Sequence, residues 1–149
     1  MFRGAYQVTL DQKQRVSVPV GFRPLLLHGE TEKVVLARHI EKCLLAFPTT
    51  EYQKIVDKLD ARPAFDDRAN RLRRWLIANA YELSLDKQGR ILVPQFLREY
   101  ADLNGEVLMA GVGPRFEVWS AAAWKEREGK DSRPESTTEL RQDLNELGL

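Results

Sequence analysis

Cysteine is nearly absent from this 149-residue chain, which contains only Cys43. A lone cysteine excludes a disulfide within the chain and fits a reducing compartment. Histidine is almost as scarce, since only His28 and His39 are present. Because a structural zinc site needs four ligands at regular spacing, we expect no metal site and no other cofactor.

Long apolar runs are also missing. No stretch approaches the roughly 20 residues that cross a bilayer, and the first residues lack the apolar segment of a secretory leader. The composition, 43% hydrophobic and 30% charged, is typical of a soluble globular protein. We therefore expect a cytoplasmic protein without membrane contact.

Signatures of catalysis are missing as well. The chain has no P-loop, no Gly-x-Gly-x-x-Gly turn and no nucleophile elbow. Cys43 lies in an apolar segment, where a buried and inert thiol is common. Asp11 and Asp86 occupy equivalent positions, whereas acid–base catalysis needs two groups in different environments. We expect neither an enzyme nor a small-molecule substrate.

What the chain does contain is an internal repeat. Residues 10–19 read LDQKQRVSVP, and residues 85–94 read LDKQGRILVP. A repeated pattern at an offset near half the length indicates a duplicated unit. Three pairs of equivalent residues are each 75 positions apart: Asp11 and Asp86, Arg15 and Arg90, and Pro19 and Pro94.

Each copy predicts a β-hairpin followed by a short helix, a second strand pair and a further helix. Alternating apolar residues flank both copies, and Asp favours turns through its own backbone hydrogen bonds. The fold class is therefore α+β, and two units of this size should pack on each other because each alone has a marginal core. The predicted boundaries are residues 1–62 for the first unit (tip 11–15), 63–81 for a linker and connecting helix, 82–129 for the second unit (tip 86–90), and 130–149 for a charged C-terminal tail.

Smaller signals refine this outline. Thr50 with Gln53 predicts a capping box, and Gly129 predicts the end of a helix that Ser120 caps. The tail is either frayed or an amphipathic segment that docks on a neighbour. The second alternative rests on Leu140, Leu144 and Leu147.

The two tips place basic side chains at exposed turns. An arginine fork matches phosphate oxygens or the guanine edge, and a two-stranded ribbon fits the major groove. The alternative is a purely structural turn, in which Asp accepts hydrogen bonds from the backbone and pairs with Arg. The candidate DNA-binding residues are Arg15, Arg90, Lys13, Lys87 and Arg3, and the residues that shape the turns are Asp11, Asp86 and Gly89.

Charge is unevenly distributed along the chain. Residues 1–27 and 61–98, which contain the repeats, carry excesses of +3 and +4, while residues 99–149 carry −5. The arginines at positions 68, 71, 73 and 74 predict either a solvated helix face or a supporting phosphate contact.

The residues up to about position 128 closely resemble the bacterial MraZ family. The resemblance rests on Met1-Phe2-Arg3-Gly4 and on both Asp-x-x-x-Arg turns, each followed by Pro. Gln14 departs from the pattern, because the family usually has Gly there. The resemblance implies tandem AbrB-like (SpoVT-AbrB) swapped-hairpin units fused into one pseudo-two-fold, β-barrel-like core with short flanking helices. Because a residue with a side chain disfavours positive φ, Gln14 is expected to make the turn of the first tip strained or differently shaped.

The same resemblance implies a nucleoid-associated transcription regulator of the division and cell-wall gene cluster, including its own operon. It would bind promoter-proximal direct repeats in double-stranded DNA as a ring-shaped homo-oligomer. A scaffold that binds a protein partner through the hairpin face is the alternative, and binding of structured RNA is a third.

Overall fold

A computed structural model describes all 149 residues as a mixed α+β structure with antiparallel strand pairing. None of its helices combines the length and the apolar content needed to cross a membrane. The strands are β1 (Ala5–Thr9), β2 (Arg15–Ser17), β3 (Leu27–His28), β4 (Thr31–Arg38), β5 (Leu44–Phe47), β6 (Tyr81–Ser84), β7 (Arg90–Leu92), β8 (Glu106–Gly111) and β9 (Phe116–Ser120). The helices are α1 (Thr49–Asp60), α2 (Asp67–Arg73), α3 (Gln95–Tyr100), α4 (Ala121–Asp131) and α5 (Pro134–Glu146).

Seven strands form one sheet, and the other two form a separate ribbon. The sheet runs β1-β8-β9-β5-β4-β3, with β6 also paired to β4, and the ribbon is β2 with β7. The predicted strand pairs β4–β5 and β8–β9 are confirmed. The sheet does not close, because its outer strands β1 and β6 lead into the tips and the chain then crosses to the ribbon. The expected pseudo-two-fold, β-barrel-like core is therefore not confirmed.

The two arms of each expected hairpin pair with the other repeat rather than with each other. Strand β1 pairs with β8, β6 pairs with β4, and β2 pairs with β7. Within one repeat, the backbone N–H of Asp11 still donates to the carbonyl of Arg15 at 2.9 Å. Each tip is thus a closed turn between strands that belong to different sheets, which corrects the simple hairpin.

The main core lies between the ribbon and one face of the sheet. Val16 and Ile91, which face each other across the ribbon, belong to the same buried cluster as Val34 and Leu36 of β4. Phe2 is only 3% exposed in this cluster, so the chain is anchored from its second residue. Burial on this face holds the ribbon rigidly against the sheet.

The opposite face of the sheet carries helices. Val35 and Ala37 alternate with the core residues of β4 and pack in a second cluster, against which Tyr52 and Ile55 of α1 lie. This two-sided arrangement explains why β4 reads as a continuous apolar run rather than as an alternating strand.

Several local expectations are corrected by the structure. Helix α1 begins after Pro48 without a side-chain cap, so the capping box of Thr50 with Gln53 was wrong. Ser120 does cap α4, but the helix continues past Gly129 to Asp131. The frayed alternative for the tail was also wrong, since residues 134–146 form a helix. Asp66 caps α2 by accepting hydrogen bonds from the backbone N–H groups of Arg68 and Ala69. Arg23–Leu26 forms the single helical turn that Pro24 allows.

Candidate nucleic-acid interface

The first tip is held by one carboxylate. Asp11 Oδ1 accepts hydrogen bonds from the backbone N–H groups of Lys13 at 2.8 Å and Arg15 at 2.9 Å. Its Oδ2 accepts a third from Arg15 Nε, also at 2.9 Å. No hydrogen bond in the structure engages the Nη atoms of Arg15. The side chain is therefore oriented through Nε while its fork remains available.

The second tip repeats this geometry atom for atom. Asp86 Oδ1 accepts from the backbone N–H groups of Gln88 and Arg90, and its Oδ2 accepts from Arg90 Nε, all at 2.9 Å. One additional bond distinguishes this tip, since Arg90 Nη2 donates to Gln88 Oε1 at 2.9 Å. Gln88 stands where the first tip has Lys13, so the two tips offer different groups around the same arginine.

Backbone hydrogen bonds explain the acidity of both aspartates. The pKa of Asp11 lies below its usual value chiefly because the backbone N–H of Arg15 stabilises the charged carboxylate. The pKa of Asp86 is lowered in the same way by Arg90. Both carboxylates are consequently charged at neutral pH, which keeps each arginine oriented.

Gln14 shares the backbone conformation of Gly89. Its φ is 65°, against 76° for Gly89. The first tip therefore has the shape of the second and stores strain, and the alternative of a different shape was wrong. At Gly89 a Cβ would also meet the guanidinium of Arg23, so a larger residue there would have to displace that side chain.

The ribbon brings both arginines to one surface. Arg15 pairs with Leu92, and Ser17 pairs with Arg90, while the intervening pair, Val16 and Ile91, is buried. Alternation along a strand therefore puts both arginines on the outer face, diagonally across the ribbon at about 7–8 Å between Cα atoms. The Arg15 and Arg90 side chains are 28% and 27% exposed, so neither is buried in the subunit.

Two further arginines support the tips and were missed from the sequence. Arg23 Nε donates to the carbonyl of Val18 at 2.9 Å, and Arg98 Nε donates to the carbonyl of Val93 at 3.0 Å. The repeat offset of 75 residues, which also separates this pair, was the signal that could have found them.

The remaining candidates are placed unequally. Lys13 and Lys87 are exposed on the tips, and neither takes part in an ion pair. Arg3 is exposed but lies beyond the other end of β1 from the first tip, and five strand residues span about 16 Å. The structure thus brings the two lysines to the tips and leaves Arg3 apart from the first tip.

The arginine cluster of α2 has divided roles. Arg73 donates to the carbonyls of Leu59 and Arg62 and to Asn70 Oδ1, so it joins α1 to α2. Arg68 and Arg71 line a surface groove instead.

The structure contains no group of His, Cys, Asp and Glu side chains arranged for a metal ion. Burial raises the pKa of the Cys43 thiol, which keeps it protonated.

The fold and the two tips define a chain of two exchanged repeats, each presenting an arginine held by an aspartate. Residues 1–75 and 76–146 each match the sequence model of the family described as "MraZ protein, putative antitoxin-like". The chain belongs to the MraZ family.

Similar proteins support this assignment along most of the chain. A protein of Marinomonas sp. is 38% identical over 149 residues, covering 97% of this chain and 99% of its own length. A protein of Oenococcus oeni is 44% identical over 126 residues (85% of each chain), and one of Saccharophagus degradans is 38% identical over 125 residues (83% of this chain and 85% of its own). Each of the three is named transcriptional regulator MraZ.

Proposed function

We propose that this chain is a sequence-specific DNA-binding regulator of transcription, and that the outer face of the ribbon contacts the duplex. The observation that carries the proposal is the common face of Arg15 and Arg90. Each is fixed at Nε by an aspartate. A fixed guanidinium fork loses little side-chain entropy when it binds a base edge or a phosphate.

Each element of the face has its own role. Arg15 and Arg90 read base edges, while Lys13 and Lys87 contact phosphates as mobile point charges. Asp11, Asp86 and Gly89 keep the turns in shape. Because Arg3 lies apart from the first tip, it contacts the phosphate backbone of the duplex at a different place from that tip. This place is either farther along the same duplex or next to a neighbouring subunit.

Self-association multiplies a weak single contact. One ribbon carries only four basic side chains at its tips, so a ring-shaped homo-oligomer gains affinity by raising the effective concentration of further tips. A head-to-tail ring presents its tips in one repeated orientation, which suits direct repeats better than palindromes. The difference between Lys13 and Gln88 within one ribbon also favours an asymmetric repeat unit.

The regulated DNA lies close to promoters in the division and cell-wall gene cluster, including the operon of the protein itself. This part of the proposal rests on the family resemblance, and the names of the relatives are consistent with it. The protein would act in the cytoplasm, associated with the nucleoid.

Substitution of the two arginines tests the proposal. Arg15→Ala and Arg90→Ala should each weaken binding to a repeat-containing duplex by about 1–3 kcal/mol per engaged subunit. Binding to a scrambled duplex should change less. Lys125→Ala is the matched control, because it removes an exposed positive charge from α4. Unchanged specific affinity in both arginine variants would reject these residues as readers.

A scaffold that binds a protein partner through the same face is the second candidate. Leu92, 60% exposed beside Arg15, favours it because an apolar side chain suits a protein surface. A gel shift with genomic fragments at increasing salt separates the two functions, since only DNA binding shows a strong salt dependence.

A further inference from the structure

A groove of about 650 Å³ lies between α2 and the turn that joins β4 to β5. Its lining contains apolar and basic side chains but no acidic one. The apolar part includes an isoleucine that is 77% exposed at position 40. Ile40, Leu72 and Trp75 contribute to the apolar lining of the groove. Arg38, Arg68 and Arg71 contribute to its basic lining.

The arginines of this groove lack acidic partners within the chain. None of Arg38, Arg68 and Arg71 forms an ion pair. The Arg38 guanidinium lies 3.7 Å from the centre of the Trp75 ring, and its Nε is buried without a hydrogen-bond partner. Positive charge over an apolar floor is complementary to an acidic, amphipathic segment.

The groove faces away from the ribbon. Its strand residue Leu45 belongs to the cluster on the helix-covered face of the sheet, whereas the ribbon covers the other face. A duplex bound across the ribbon would therefore meet the opposite face of the sheet. A protein segment fits the apolar lining better than a phosphate backbone does.

Helix α5 has the complementary surface. Two leucines of the helix and the leucine at its C-cap recur at intervals of four and three residues, which aligns them along one side. Acidic residues precede each leucine by one position and so form a parallel stripe about 100° around the axis. The leucines are exposed, although α5 contacts α4. The two stripes are Leu140, Leu144 and Leu147, and Glu139, Asp143 and Glu146.

We propose that α5 of one copy docks in this groove on a second copy of the chain. The leucines enter the apolar floor between Ile40 and Leu72, and the acidic stripe pairs with the groove arginines. Because helix and groove are different surfaces, the contact is heterologous and can be repeated from copy to copy until a ring closes. This inference deepens the proposed function, since it rests on self-association.

Disulfide trapping tests the contact in the full-length protein. Ile40→Cys is co-expressed with a differently tagged chain carrying Leu140→Cys, Leu144→Cys or Leu147→Cys, and the mixture is oxidised. We expect a mixed disulfide dimer on non-reducing gels for at least one pair, because docking brings the Cα atoms within bonding range. Val20→Cys, which is 75% exposed on another surface, replaces Ile40→Cys as the matched control and should give no dimer. Cys43 is fully buried and can stay.

The outcomes separate this inference from the proposed function. An oligomer in sedimentation analysis that yields no mixed dimer would overturn the docking contact alone. A monomer that still binds repeat DNA would overturn both the contact and the ring. In the double variant Ile40→Cys/Leu144→Cys, a disulfide confined to one chain would show that the helix fills its own groove, and would also overturn the proposal.

Charge reversal supplies an independent measurement. Arg68→Glu combined with Arg71→Glu should shift the sedimenting species toward the monomer, and Leu140→Ser with Leu144→Ser should do the same. If the reversed variant keeps its assembly and loses only DNA affinity, the groove binds nucleic acid and the docking contact is excluded.

Discussion

Gln14 and Gly89 occupy equivalent positions of two tips and share a left-handed backbone, although only one of them is a glycine. The two tips nevertheless have the same pattern of aspartate hydrogen bonds. The surrounding structure therefore imposes the turn on a residue that disfavours it.

Replacing Gln14 with Gly should stabilise the protein. A side chain in the left-handed region costs roughly 1–2 kcal/mol, and the greater backbone entropy of glycine offsets about half of that. We expect a gain of about 0.5–1 kcal/mol in the free energy of unfolding, measured by urea titration. A neutral or negative change would mean that the Gln14 side chain makes compensating contacts.

The converse change, Gly89→Ala, should be harmful for two reasons. The new Cβ would sit at positive φ, and it would displace the Arg23 guanidinium from its place beside the turn. We expect a loss of about 2–3 kcal/mol from backbone strain and the weakened bond to Val18. Gly129→Ala in α4 is the control, because it meets open space and should stabilise the helix by about 1 kcal/mol. Equal effects at the two glycines would contradict this reasoning.

The tips should contribute a pH-dependent part of the stability. Because folding lowers the pKa of Asp11 and Asp86, their contribution is complete above the usual aspartate pKa of about 3.9 and is lost as the pH falls through the lowered value. The thermal midpoint of the variant Asp11→Asn/Asp86→Asn should be lower than that of the wild type at pH 7.

The difference in thermal midpoint between the wild type and the double aspartate variant should become smaller as the pH decreases below about 4. Glu106, whose pKa is lowered by hydrogen bonds from Gln7 and Thr9, also responds in this range. The single variant Glu106→Gln measures its share. If the difference in thermal midpoint between the wild type and the double aspartate variant stays constant across pH, the two aspartates do not contribute a pH-dependent part of the stability.

Phe2 should contribute far more to the stability of the fold than its place near the start of the chain suggests. Its ring lies 5.2 Å from that of Phe22 and 5.3 Å from that of Phe116. Phe2→Ala should lower the free energy of unfolding by about 3–5 kcal/mol, whereas Phe2→Leu should cost less because it keeps most of the volume. Val20→Ala, at an exposed site, should change stability by less than about 0.5 kcal/mol. Similar losses for Phe2→Ala and Val20→Ala would show that the N-terminus is not anchored.

Lys87 and Arg90 should differ in how they affect DNA binding. Lys87→Ala should weaken binding to repeat-containing and scrambled duplexes about equally and reduce the slope of log K against log salt by about 1. Arg90→Ala should reduce binding to the repeat-containing duplex preferentially. Fluorescence anisotropy titrations at several salt concentrations measure both effects. Equal sequence dependence in the two variants would exclude the proposed division of roles.

Local signals allowed much of the fold and of the tips to be predicted. Short-range patterns predict the turn at Asp86, the cap at Ser120 and the second strand pair of the second copy, which is β8 with β9, and the structure confirms all three. Helix ends were less predictable. Gly129 lies within α4 and Thr50 does not cap α1, because tertiary contacts override a preference worth about 1 kcal/mol.

The sequence by itself determined that there are two tips, which residues form them, and which side chains alternate between core and surface. Only the tertiary structure decided which strands the arms of the tips pair with, so that Arg15 and Arg90 share one outer face. The reason is physical: strand alternation is a local property of the chain, whereas strand pairing depends on which apolar faces meet when the two halves bury a common core.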